Sequence, residues 1–238
     1  MATLRIEPRF CGPPGTANGG YFAGSLAAAA NGQACSVRLH APIPLATELE
    51  IVEMPEGSRQ LMHAGQLLAR ATPAALELAV PAAPDFTAAG RASRRFGAFG
   101  RLAFPGCFVC GDARGERDGL RIFAGATDDG ALVAAPWVPD DTLADGRGRI
   151  PRALLWAAID CPGYFAARDD GAPMLLGEIT ARVDGEIGVG EPCVVIGWRE
   201  RVDGRKFHVG TALFNADGAL CARARALWIE PRPTPPPA

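Results

Sequence analysis

A chain of 238 residues with 48% hydrophobic content can bury a large core, either as one domain or as two fused units of about 100–150 residues each. A formal net charge of −2 sets up no field that would gather nucleic acid or an anionic membrane, so neither is expected as a partner and a small molecule is. Seven cysteines, odd in number and dispersed, fit reduced thiols in a cytoplasm better than a disulfide framework.

Charged and apolar residues alternate from Met1 to Phe10, which predicts a short strand over residues 3–9 and lacks the continuous apolar run of a secretory signal. The turn-rich Cys11-Gly-Pro-Pro-Gly-Thr16 then leads into a helix from about Gly19 to Ala30, with Asn31-Gly32 as its stop. The apolar part of that helix is too short to cross a bilayer. Four β-like segments follow, over residues 34–40, 47–54, 59–64 and 66–71, and they predict an antiparallel meander. Residues 81–106 are rich in Pro, Ala and Gly and read as a linker. Its Arg91, Arg94, Arg95 and Arg101 are solvated in that reading, with the phosphates of a cofactor-like carrier as the functional alternative.

Residues 119–124 and 131–137 read as a hairpin, and Pro151 suits the first position of a helix running to about Ala167, bent at Pro162. Strands are expected over residues 174–184, 192–202, 205–215 and 219–229, joined by Asp184-Gly185, Asp203-Gly204 and Asp217-Gly218. Residues 231–238 form a Pro-rich tail. The organisation is therefore an N-terminal half (1–80), a linker (81–106), a C-terminal half (107–230) and the tail. Both helices are apolar nearly all round, which calls for burial on most sides. The fold class that follows is α+β, with two central helices packed on one antiparallel β-sheet.

Several chemistries are set aside on residue grounds. Gly12-Pro-Pro-Gly-Thr-Ala-Asn18 has Asn18 where a phosphate-binding loop needs lysine. Ser25, Ser36, Ser58 and Ser93 are the serines, and none lies in G-x-S-x-G. His40, His63 and His208 lack a paired spacing and read as strand or surface residues. Cys107-Phe-Val-Cys110 has no second C-x-x-C or H-x(3–5)-H at zinc-site spacing, so zinc would have to recruit scattered residues such as Cys161 or His208. The pair is read as packing at the entry to the second half, and neither a metal nor a cofactor is expected.

Strand, helix and meander in the same order twice is the outline of a tandem (double) hotdog. Cys107-Phe-Val-Cys-Gly111 followed by Asp118-Gly-Leu-Arg-Ile122 resembles the start of many hotdog thioesterase domains of the phenylacetate-pathway type. Asn18-Gly19-Gly20 is similar to the H-G-G or N-G-G that opens the central helix in those enzymes. The resemblance implies hydrolysis of an acyl thioester, usually acyl-CoA, between two hotdog units. One helix N-terminus polarises the carbonyl, and a carboxylate from the other helix activates water or attacks. In such enzymes the acid follows the first residue of the triplet by nine positions. Here nine from Asn18 reaches Ala27, and nine back from Asp160 reaches Pro151-Arg152-Ala153, so one copy holds the donors and the other the acid.

The expected site is thus single and composite. The Gly19 and Gly20 amides would supply oxyanion donors, Asn18 would orient water or carbonyl, and Asp160 would act as base or nucleophile, its carboxyl raised by apolar surroundings. Tyr21, Phe22, Trp156 and Tyr164 would line the acyl tunnel. The simpler readings are an N-cap and tight turn at Asn18-Gly19-Gly20 and a brace before Pro162 at Asp160. A Thr/Gln pair carried by some double-hotdog thioesterases would fall near Arg199 and Ala226, where it is not reproduced. Two further functions remain alternatives: a non-catalytic acyl-CoA or lipophilic-ligand binding protein, and an enoyl-CoA hydratase or dehydratase, which usually needs a histidine beside the acid. A homodimer of double hotdogs stays open as the assembly.

Overall fold

The computed structural model describes residues 2–30, 33–168 and 170–232. Asn31-Gly32, expected to stop the first helix, and the tail beyond Arg232 lie outside the described residues. Among the described residues eleven strands form one sheet: β1 (Ala2–Leu4), β2 (Cys35–Leu39), β3 (Leu49–Glu53), β4 (Arg59–His63), β5 (Gln66–Pro73), β6 (Gly125–Ala126), β7 (Val133–Trp137), β8 (Leu175–Val183), β9 (Cys193–Asp203), β10 (Lys206–Phe214) and β11 (Leu220–Ile229). Every neighbouring pair is antiparallel, in the order β1-β3-β4-β5-β2-β8-β11-β10-β9-β7-β6. Read inward from β1 at one edge and from β7, next to the short edge strand β6, at the other, β1-β3-β4-β5-β2 matches β7-β9-β10-β11-β8.

The meander predicted from four consecutive segments holds for three of them, β3, β4 and β5, because β2 does not pair with β3. Glycines with positive φ, Gly57 and Gly65, turn β3 into β4 and β4 into β5, while β2 lies on the far side of β5. There β2 meets β8 and joins the two ends of the sheet. Val37 pairs with Ile179, both fully buried, and the Ser36 hydroxyl donates to Glu178 Oε1 at 2.9 Å. Asp203-Gly204 and Asp217-Gly218 connect hairpins as expected. Asp184-Gly185 does not, because β8 pairs with β11 and β2; both its amides instead donate to the Cys221 carbonyl, at 2.8 and 3.0 Å.

Three other segments depart from expectation. The strand predicted over residues 3–9 ends at Leu4, and Pro8 starts a 3-10 turn over Pro8–Phe10. Residues 119–124 form a loop, because Arg121 adopts a left-handed φ of 52° that interrupts extension. Its Leu120 and Ile122 amides donate to Phe108 and Val109, leaving only β6 to pair with β7. The segment read as a linker contains a helix, α2 (Phe86–Ser93), started by the Asp85 carboxylate on the Ala88 N–H at 2.7 Å. Ala89 and Ala92 are fully buried with Ala134, Ile196 and Ala212, and Arg91 and Arg95 pair with Asp128.

Helix α1 (Gly19–Leu26) packs on α3 (Arg152–Ala158), both touch β8, and α4 (Cys161–Ala167) lies on β9 and β10. Close crossing of α1 and α3 depends on Gly24, where a Cβ would come within 2.7 Å of the Trp156 Cβ. Phe22, Leu26, Ile159 and Ile179 are fully buried in this layer, each contributing about 1.5–3 kcal/mol of transfer free energy. The single bent helix expected after Pro151 is two helices. Pro162 has no N–H for the carbonyl four residues back, so the chain breaks at Ile159-Asp160. The Thr211 hydroxyl of β10 donates to the Ile159 carbonyl at 2.7 Å and satisfies it at the break. No helix among the described residues is long and apolar enough to cross a membrane.

Candidate active site

Asn18 has extended backbone and caps α1, its Oδ1 accepting from the Tyr21 N–H at 2.9 Å. That bond fixes the orientation of the amide, because only the oxygen can accept from a backbone N–H. Nδ2 is thereby aimed away from the helix and donates to Asp160 Oδ2 at 3.1 Å. The Gly20 N–H donates to the same oxygen at 2.9 Å. A Cβ on Gly20 would stand 2.5 Å from the Asp160 Cβ and 2.7 Å from the Trp156 carbonyl oxygen, so the contact requires glycine. At Gly19 a Cβ would meet a flexible side chain, Leu176.

Asp160 sits on the break between α3 and α4 and is 1% exposed. Its second oxygen, Oδ1, has no hydrogen-bond partner among the described residues. Burial pushes the carboxyl up to about 7 against the opposing Gly20 N–H, and the nearby Cys107 sulfur adds to the rise while Asn18 opposes it. A carboxylate so held presents one fixed oxygen to α1 and leaves the other available.

A cavity of about 410 Å³ adjoins this pair and is bordered by Asn18, Gly19, Asp160, Leu39, Met174, Leu176 and Trp228, among others. Trp228 is buried and its indole N–H is also without a partner among the described residues. The Gly19 N–H, at the first position of α1, has none either. Exposed Arg205 and His40 stand on the same cavity; no hydrogen bond joins His40 to Asp160.

The donors and the acid expected from the sequence therefore meet, with one correction. Gly20 does not face Asp160 across a space that admits a carbonyl and a water, because the amide is bonded directly to the carboxylate. Of the four aromatic residues expected in a tunnel, only Tyr164 borders the cavity, its hydroxyl donating to the Ala172 carbonyl at 2.8 Å. Tyr21 stacks on Phe10 at 3.9 Å, Phe22 is core, and Trp156 fills the notch at Gly24. Of the complementary positions named from the sequence, Ala27 brings no polar side chain, and Arg152 reaches the Val183 carbonyl at 3.2 Å. Among the linker arginines, Arg91 and Arg95 are held by Asp128 and Arg101 by the Gly97 carbonyl.

Two features escaped the sequence reading. Thr211 supports the helix break from β10; Arg199 and Ala226, near which the Thr/Gln pair would fall, both pair with Val209 two residues away. Cys161, the residue after Asp160, joins Cys107 and Cys110, with Cys107 Sγ and Cys161 Sγ 3.8 Å apart and Asn18 Nδ2 3.9 Å from Cys107. Hydrogen bonds from the Cys110 and Cys161 thiols hold Cys107 well below the usual thiol range and raise the two donors. His208, the other residue named for a zinc site, lies beside Arg201 at 3.0 Å.

No protein-family model and no curated protein matches the sequence. Solved structures do match at full length. A conserved hot dog fold protein of unknown function from Alicyclobacillus acidocaldarius is 16% identical, with a TM-score of 0.63 and coverage of 98% of this chain and 93% of the other. A candidate thioesterase from Novosphingobium aromaticivorans is 14% identical, with a TM-score of 0.63 over 97% and 95%. The TesB protein of Mycobacterium avium subs paratuberculosis is 14% identical, with a TM-score of 0.62 over 97% and 92%. At these identities the likeness establishes the fold: the chain has an α+β hotdog fold.

Proposed function

We propose that the chain is a tandem (double) hotdog, with one unit built around α1 and the other around α3 and α4, and that it is an acyl-CoA thioesterase-like hydrolase with one composite site between them. The repeated strand order and the full-length likeness to a hot dog fold protein support the architecture. The observation that carries the chemistry is the Asp160 carboxylate: Oδ2 is pinned by the Gly20 N–H and Asn18, while Oδ1 is unpartnered and buried beside a largely apolar cavity.

In this reading the acyl chain lies along Leu39, Met174 and Leu176, and Arg205 meets a phosphate of the carrier. Asp160 Oδ1 takes a proton from water as the water oxygen bonds to the thioester carbon. Negative charge gathers on the carbonyl oxygen, where the free Gly19 N–H at the start of α1 is the donor in place. The carbon–sulfur bond then breaks, and the departing thiolate recovers the proton from Asp160. Gly20, bonded to the carboxylate, orients the base and does not hold the oxyanion.

The test is thiol release from a series of acyl-CoA esters by the wild type and Asp160→Asn, with acyl-CoA binding followed separately. Turnover is expected to disappear in the variant while binding persists. Binding with no thiol release by the wild type would replace the hydrolase with a ligand-binding protein. Water addition to an enoyl-CoA would favour a hydratase, a reading weakened by the lack of a histidine bonded to Asp160 among the described residues.

A further inference from the structure

We propose that Cys107, Cys110 and Cys161 form a zinc site whose fourth position opens on the cavity. The ligands come from two distant stretches of chain. Cys107 and Cys110 lie on a turn closed by the Gly111 N–H on the Cys107 carbonyl at 2.9 Å, and Cys161 is the first residue of α4. That turn depends on glycine at 111, where a Cβ would fall 2.4 Å from the Pro105 carbonyl oxygen.

The three sulfur atoms all lie within 4.8 Å of one another, and the Cys107 and Cys161 sulfurs are 3.8 Å apart. Zinc–sulfur bonds of about 2.3 Å in a tetrahedron put neighbouring sulfurs roughly 3.8 Å apart, so this spacing is that of a ligand edge. A disulfide needs about 2.05 Å and would leave the third thiol over. Three thiolates select a soft ion over magnesium or calcium.

Beside the sulfurs, the Asn18 amide nitrogen approaches Cys107 Sγ at 3.9 Å. An N–H donor turned toward a sulfur is the kind of outer contact a thiolate ligand needs. All three cysteines are buried, at 5%, 5% and 4% exposure, yet all three border the cavity that holds Asp160, which gives the ion a path in. Zinc takes all three cysteines as thiolates, the thiol protons leave to solvent, and no oxidation state changes. Asp160 is outside the ligand set, since its carboxylate does not fall within the common 4.8 Å group. The ion would tie the turn that borders Asn18 to the helix that begins after Asp160.

The experiment measures metal in the full chain purified under reducing conditions without chelator. One zinc per chain is expected, lost in each of Cys107→Ser, Cys110→Ser and Cys161→Ser. It should be retained in Cys193→Ser, which removes a buried cysteine elsewhere, and in Asp160→Asn, which separates this site from hydrolysis. Cobalt titration of the metal-stripped wild type gives a readout independent of any variant's folding: thiolate-to-cobalt charge-transfer absorption saturating at one equivalent. Absence of both zinc and that absorption, zinc retained in all three serine variants, or a Cys107–Cys161 disulfide in protein alkylated during isolation would overturn the proposal.

Discussion

The Gly20 N–H and the Asp160 Oδ2 are 2.9 Å apart, although 140 residues separate them in the chain. A methyl group at position 20 would overlap the Asp160 Cβ at 2.5 Å and the Trp156 carbonyl, neither of which can swing aside. Gly20→Ala is therefore expected to cost about 1–3 kcal/mol and to misplace the carboxylate, whereas Gly19→Ala meets only the movable Leu176 and should cost less. Urea denaturation of the two variants checks the order, and equal losses would contradict the close approach.

Asn18 holds two partners with one side chain, the Tyr21 N–H and Asp160. Asn18→Ala removes both, with an expected loss of about 1–2 kcal/mol from the cap. Asn18→Ser can restore the cap but is too short to reach the carboxylate. Stability should return in the serine variant while thioester turnover does not, and recovery of both would remove Asn18 from the site.

Thr211 bonds the Ile159 carbonyl that the helix break leaves free. Thr211→Val keeps the shape and strands that carbonyl, at an expected cost of about 1–3 kcal/mol, while Thr211→Ser should cost less. Denaturation midpoints at constant slope would show this. A neutral Thr211→Val would mean the break is held by other contacts.

Asp160 is a buried carboxylate with one oxygen unpartnered, an arrangement that favours chemistry over stability. Above neutral pH, Asp160→Asn should unfold at a higher temperature than the wild type, by about 2–4 °C for each kcal/mol recovered. A lower melting temperature would mean that the carboxylate is a net structural brace.

The sequence made local features legible. The Asn18 cap, the start of α1 and the Asp-Gly hairpins around β10 depend on a few adjacent residues and appear where spacing placed them. The offsets of Asn18 and Asp160 complement one another across the repeat that the sequence predicts, and the two side chains are hydrogen-bonded. Long-range register was not legible. Cys161 reaches Cys107 only because the chain breaks before Pro162, and Thr211 reaches Ile159 only because β10 lies where it does. The sequence does not tell Tyr21, Phe22 and Trp156 from cavity-lining residues, because a helix buried on every side gives no periodic signal that separates cavity from core. Helix α2 was hidden because small alanines form its buried face within a Pro-rich stretch, and its cap, Asp85, was overlooked.

The pairing of β2 with β8 sets a scale on the site that neither helix sets alone. The strand β2 follows α1, β8 follows α4, and the two are locked by Val37 opposite Ile179 and Ser36 opposite Thr180. A slip of a single residue would carry the strands about 3.3 Å past one another, more than the length of the hydrogen bond between Gly20 and Asp160. It would also turn the slipped strand over, carrying Val37 of β2 from the core toward the opposite face. The sheet's midline thus acts as a ruler: its hydrophobic register admits one alignment, and that alignment brings the N-terminal glycine to the C-terminal acid.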